Sequence, residues 1–91
     1  MSWDCKFSRD AESDLIALPK SVQEQVALVV EQMECHPFFG DVDVLAGKPG
    51  ARLFYWKAGN YWLIFQPNYT DQFLYVLRIV LRPAEDVPTA V

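Results

Sequence analysis

The main change in the spacing of the apolar residues falls between residues 37 and 52, and that change limits the folds open to this chain. Between residues 8 and 37 they recur every three or four positions, as on one side of a helix. From residue 52 to residue 82, aromatic and β-branched residues dominate in short runs, as in strands. A chain of 91 residues has room for one core only. The sequence therefore predicts a single α+β domain over residues 1–91, in which residues 83–91 form a frayed tail.

Capping residues divide the helical half into two helices. Ser8 offers a hydroxyl to a first helix, and Pro19 ends that helix. Ser21 and Glu24 have the spacing of a capping box, which predicts that a second helix begins at Ser21 and runs to the residues before Pro37. Two antiparallel helices joined by a tight turn follow from this spacing.

Strands are predicted on both sides of the helical hairpin. Residues 3–7 alternate apolar and polar side chains, which is typical of an outer strand. Residues 38–50 contain glycines, a proline and charges, and they predict an irregular connection. Residues 52–57, 61–66 and 73–82 then read as a three-stranded antiparallel meander. The expected fold is an N-terminal strand, a helical hairpin and the meander, with the helices packed on one face of the sheet.

The side chains of the last predicted strand should divide between two faces. Alternation places Arg78 and Arg82 on one face with Leu74, Val76 and Val80. The other face then carries Phe73, Tyr75, Leu77, Ile79 and Leu81, and we expect that set to face the helices.

Short motifs follow one another in a characteristic order along the strand-rich half. Leu45 and Gly47 precede the meander, Gly59-Asn60-Tyr61 occupies its first turn, and Arg82 ends its last strand. With the element order and the Asp14-Leu15 pair on the first helix, this pattern resembles the RelE/ParE superfamily of bacterial toxins over nearly the whole chain. The resemblance implies the toxin component of a type II toxin–antitoxin system, which inhibits growth and is neutralised by a cognate antitoxin protein.

The resemblance also implies a site on the strands. For catalysis the implied residues are Arg82, Arg78 and Lys57, and for binding the target or the antitoxin they are Trp62, Arg52 and Tyr61. Guanidinium groups suit phosphate oxygens, because they donate two parallel hydrogen bonds. Alternative interpretations stay open. The two strand arginines are otherwise solubilising charges or ion-pair partners of Glu85 or Asp86. Trp62 either stacks on a base, or is a buried plug or an antitoxin contact.

Departures from the family pattern bear on the target. Trp62 stands where RNA-cleaving members carry arginine, Leu81 stands where some carry histidine, and no tyrosine follows Arg82. RNA cleavage by the usual constellation is therefore not expected. Three interpretations remain: ribosome-associated mRNA cleavage by a non-standard site, inhibition of DNA gyrase without hydrolysis as in the ParE branch, and a degenerate toxin that binds only its antitoxin.

Charge and composition limit the other classes of function. The formal net charge of −4 means that any nucleic-acid contact needs a local basic patch. No apolar run approaches the roughly 20 residues that span a bilayer, and the first residues lack a secretory pattern, so we expect a cytoplasmic protein with no membrane contact. His36 has no companion ligands, and neither a metal nor another cofactor is expected. Asp41 and Asp43 form either a solvated acidic loop or a general-base pair.

Overall fold

Two helices and five strands make up the part of the chain that this computed structural model describes, residues 3–40, 42–46 and 52–82. In chain order they are β1 (Asp4–Phe7), α1 (Arg9–Ala17), α2 (Lys20–Cys35), β2 (Val42–Ala46), β3 (Leu53–Ala58), β4 (Tyr61–Asn68) and β5 (Phe73–Leu81). The tail predicted at residues 83–91 lies outside the described residues. Neither described helix is long and apolar enough to span a membrane.

The strands form one mixed sheet in the order β1-β5-β4-β3-β2. Strands β2 to β5 pair antiparallel, and β1 lies parallel to β5 at one edge. The α+β class, the meander and the outer position of β1 are confirmed. The irregular connection predicted for residues 38–50 is wrong in part, because Val42–Ala46 pairs with β3 as the other edge strand. That short segment becomes a strand through its partner, which local sequence does not reveal.

The first helix begins as predicted. Ser8 is the N-cap of α1, and its Oγ accepts a hydrogen bond from the backbone N–H of Ala11 at 3.0 Å. The same hydroxyl donates to the carbonyl of Leu77 on β5 at 2.8 Å. One serine therefore both starts the helix and ties it to the sheet.

The second helix begins one residue earlier than predicted. Its N-cap is Pro19, which makes no side-chain capping bond, so the capping box between Ser21 and Glu24 is a wrong prediction. The fixed backbone of Pro19 sets up the first turn, because its carbonyl accepts from the N–H groups of residues 22 and 23 at 3.0 Å. The side-chain amide of Gln23 then donates to the carbonyls of Leu15 and Leu18, at 2.9 and 3.2 Å. These bonds satisfy the end of α1 and make the hairpin turn tight.

A single cluster of buried side chains joins the helices to the sheet. The helices contribute Ala11, Val26 and Met33, and the strands contribute Trp56, Ala58, Leu63, Phe65, Leu74, Val76 and Ile79. Every member is at most 4% exposed. Because both helices bury their residues against the same side, the sheet has one helix face, and the packing predicted for the hairpin is confirmed.

A β-bulge decides which residues of β5 reach the helix face. Phe65 pairs with Val76 and Ile64 pairs with Arg78, so Leu77 is the extra residue. A strand with one extra residue changes its alternation at that point. Leu74 and Val76 are therefore buried, and Tyr75 is 39% exposed. The faces predicted for these three residues, which precede the bulge, are wrong. Beyond it, Ile79 is buried and Arg78 faces away, as predicted.

Candidate functional site

The side of the sheet opposite the helix face is here called the open face. Cross-strand partners share a face, so the register assigns its members row by row. One row is Lys57, Trp62 and Val80, and the next is Asp43, Tyr55, Ile64 and Arg78. None of these seven side chains is buried. The open face is thus a surface on which aromatic and basic side chains are interleaved.

Two stacked aromatic rings form the centre of the open face. The rings of Tyr55 and Trp62 lie with centroids 3.8 Å apart and planes 19° from parallel. The indole Nε1 of Trp62 is buried and has no hydrogen-bond partner among the described residues. Buried donors without a partner are uncommon in folded proteins, and indole N–H groups usually find an acceptor. The stack is therefore an apolar platform in which the indole N–H is buried without a partner among the described residues.

Arg78 lies at the border of the open face and is engaged by α1. Its Nε donates to Oδ2 of Asp14 at 2.7 Å, and its Nη2 donates to Oδ1 at 3.0 Å. Oδ2 also accepts from the backbone N–H of Ile79 at 2.9 Å. Strand β1 pairs with β5 only as far as Val76, so the next part of the β5 edge would otherwise lack partners. Asp14 and Ser8 supply them, and we call the contact between Asp14 and Arg78 the α1 clamp.

The α1 clamp makes stability depend on pH in a defined direction. The hydrogen bond from Arg78 lowers the pKa of Asp14, and the backbone N–H of Ile79 lowers it further. A carboxyl whose folded-state pKa is lowered stabilises the fold above its unfolded value of about 3.9, and that contribution is lost as the pH falls through the folded-state pKa. We expect the wild type to lose more stability than Asp14→Asn between pH 6 and pH 3, so that their urea midpoints converge.

The control for this experiment is Asp71→Asn, which removes an exposed carboxylate from the turn between β4 and β5. The urea midpoint of this variant should decrease as the pH falls, in parallel with the midpoint of the wild type. Parallel curves for Asp14→Asn as well would contradict the stabilising role of the α1 clamp.

The structure brings some of the predicted site residues together and separates others. Lys57 is exposed on the open face beside Trp62. Arg82 is exposed at the end of β5, where its backbone N–H donates to the carbonyl of Asn60 at 2.8 Å, so it lies at the same end of the sheet. Tyr61 pairs with Ala58 and packs against the core cluster on the helix face, away from Trp62. Arg52 is exposed immediately before β3.

Two residues of the open face were not assigned to the site from sequence. Tyr55 precedes Lys57 by two positions, and that alternation was a usable signal. Asp43 was predicted to belong either to a solvated acidic loop or to a general-base pair. It is an exposed residue of strand β2 and pairs with Tyr55. Its Oδ1 accepts from the N–H of Val44 at 2.8 Å. Asp41 lies outside the described residues. Within the described ranges, no three His, Cys, Asp or Glu side chains are grouped as metal ligands.

Comparisons with known proteins agree on the fold. No family model and no curated protein sequence matches the chain. Among solved structures, a chain of the archaeal RelE–RelB complex from Pyrococcus horikoshii is 23% identical with a TM-score of 0.79, over 93% of this chain and 100% of that one. The isolated RelE toxin of E. coli is 18% identical with a TM-score of 0.72, over 93% and 89%. The YoeB/ParE toxin of Agrobacterium tumefaciens is 12% identical with a TM-score of 0.72, over 88% and 99%. The chain therefore has the RelE/ParE-like toxin fold, as the sequence resemblance implied.

Proposed function

We propose that this protein is the toxin of a type II toxin–antitoxin system, that it inhibits growth by acting on translation, and that a cognate antitoxin neutralises it. The observation that carries the proposal is the group of Lys57, Trp62 and Arg82 at one end of the open face, where both cations are exposed and Trp62 is half-buried, in a fold shared with RelE toxins. The partner is supported by the archaeal relative, whose structure is a RelE–RelB complex.

The open face suits a single strand of RNA better than a duplex. A base would stack on the platform of Tyr55 and Trp62, and the flanking phosphates would contact Lys57 and Arg82. The guanidinium of Arg78 is already bound in the α1 clamp. We therefore assign Arg78 a positioning role, in which it fixes α1 and β5 next to the open face. The phosphate contacts are assigned to Lys57 and Arg82 because both side chains are exposed at one end of that face.

Cleavage on this face would use the 2′-hydroxyl of the RNA itself. The 2′-oxygen forms a bond to the adjacent phosphorus while the bond to the 5′-oxygen breaks. The leaving 5′-oxygen takes a proton from water, and the products are a cyclic phosphate and a 5′-hydroxyl. Lys57 and Arg82 would neutralise the charge that develops on the phosphate. Asp43 is the carboxylate of the same row as Tyr55, and it can accept the 2′-hydroxyl proton when the RNA strand crosses β2 and β3.

A second candidate target is DNA gyrase, bound without any hydrolysis. The specific observation in its favour is the apolar stack of Tyr55 and Trp62 at the centre of the open face. Aromatic side chains are common anchors in protein–protein interfaces. The net charge of −4 also favours a protein target over a polyanion.

Pulse labelling after induction in a bacterial host separates the two targets. If translation is the target, amino-acid incorporation should stop within minutes while thymidine incorporation continues, because replication proceeds on existing enzymes. The reverse order would support gyrase. The product of the neighbouring gene, expressed together with this protein, should copurify with it and restore growth. A folded, soluble protein that leaves growth unaffected at every expression level would rule out the toxin role.

A further inference from the structure

A cavity of about 460 Å³ opens at the end of the β4–β5 hairpin. Gln66, Asn68, Tyr69, Thr70, Phe73 and Tyr75 line it. Gln66 pairs with Tyr75, and both lie on the same side of the sheet as the open face. Gln66 is four residues along β4 from Trp62, which corresponds to about 13 Å. The cavity is therefore next to the proposed site but distinct from it.

Two aromatic rings form a corner of this cavity. The centroids of Phe73 and Tyr75 are 6.5 Å apart, and their planes meet at 80°. The Nζ atom of Lys6 on β1 lies 4.5 Å from the centroid of Phe73, so the ammonium covers one face of that ring. Tyr75 is 39% exposed. A flat ring can therefore stack on Tyr75 and direct one edge towards Phe73.

The polar groups of the cavity match a hydrogen-bonding ring. Within the described part of the chain, the side-chain amide of Gln66 makes no hydrogen bond, and it offers both donors and an acceptor. Oδ1 of Asn68 accepts from the N–H of Asp71 at 2.9 Å, which leaves the amide nitrogen of Asn68 for a ligand. Asp4 pairs with Phe73 beside Lys6, so the local charge is balanced. This chemistry favours a neutral heteroaromatic ring over a bare anion.

We propose that this cavity binds a nucleobase, with the base stacked on Tyr75, its polar edge on the amide of Gln66 and its sugar-phosphate near Lys6. The base can belong to a free nucleotide or to single-stranded RNA. The RNA source rests on the proposed function, because the strand would continue from the platform at Trp62 along β4. Nucleobase binding by itself does not require toxicity.

The test measures binding by solution NMR, with adenosine and uridine monophosphates, a mixed-sequence RNA hexamer, and ribose 5-phosphate as the base-free ligand. The nucleotides should shift the side-chain amide signals of Gln66, and ribose 5-phosphate should not. Tyr75→Leu should weaken nucleotide binding about tenfold, because one stacked base is lost. Tyr75→Phe should retain it. Phe39→Leu is the matched control, since Phe39 is an aromatic residue 76% exposed outside the cavity. Thermal unfolding confirms that each variant is folded.

The binding measurements distinguish RNA from a free nucleotide as the ligand, and they also test the nucleobase site separately from the toxin function. Hexamer binding at least tenfold tighter than mononucleotide binding, and weakened by Trp62→Ala, would identify RNA as the source. Equal affinities for the hexamer and the mononucleotides, both unchanged by Trp62→Ala, would identify a free nucleotide as the source. Failure of all nucleotides to bind, or equal binding of ribose 5-phosphate, would overturn the nucleobase site. A wild type that inhibits growth without binding nucleotides overturns this inference alone, and one that binds them without toxicity overturns only the proposed function.

Discussion

Replacing both Lys57 and Arg82 with alanine is expected to abolish growth inhibition while the protein stays folded. Both side chains are exposed at one end of the open face. Charge-assisted contacts to a phosphate or an acidic partner are worth about 1.5–3 kcal/mol each, so losing two weakens target binding by about a hundredfold or more. Exposed charges contribute only about 0–1 kcal/mol to stability. Growth after induction and the melting temperature are the two measurements, and the melting temperature should stay within a few degrees.

The matched control is Arg9→Ala combined with Lys20→Ala, which removes the same charge from exposed positions on the two helices. That variant should remain toxic, because it lies away from the open face. Equal loss of toxicity in both double variants would point to net charge rather than to a site. A Lys57 and Arg82 variant that stays fully toxic would move the site elsewhere. Arg78 is left out of this test, because its removal breaks the α1 clamp and confuses folding with binding.

Trp56→Ala is expected to remove a large share of the stability of the domain. The Trp56 side chain is 2% exposed, pairs with Val42 and Leu63, and packs against the backbone at Gly40, where an added Cβ would lie 3.1 Å from its ring. Replacing a buried aromatic side chain with alanine lowers the free energy of unfolding by about 3–5 kcal/mol. The whole free energy of unfolding of a small domain is only about 5–15 kcal/mol. Urea denaturation should show a midpoint shifted sharply downward, or no folded baseline at all.

Tyr55→Ala is the control for this variant, because it removes an aromatic ring from the preceding position of the same strand. Tyr55 is half-buried on the open face and contacts Trp62 rather than the core. We expect a clearly smaller loss of stability and a larger loss of growth inhibition than its stability change explains. If Tyr55→Ala unfolds the protein as readily as Trp56→Ala, the two faces of β3 are not divided between folding and function.

The sequence by itself determined the features that depend on neighbouring residues. Ser8 caps α1 because a serine hydroxyl reaches an N–H three residues ahead in any context. Gly59 supports the β3–β4 turn with φ of +61°, a conformation that glycine adopts at little cost. Alternation along β3 places Lys57 and Trp56 on opposite faces. These local rules were sufficient to predict the fold class and to indicate the resemblance to the RelE/ParE superfamily.

Tertiary structure alone decided the features that depend on distant partners. Val42–Ala46 is a strand because β3 offers its edge, and Leu77 is a bulge because β4 and β5 must both keep apolar residues on the helix face. Asp14 and Arg78 meet across 64 positions of sequence, where the edge of β5 needs hydrogen-bond partners that β1 is too short to provide. Spacing along the chain carries no information about such pairs, because the free energy that selects them comes from satisfying groups that only the assembled sheet brings together.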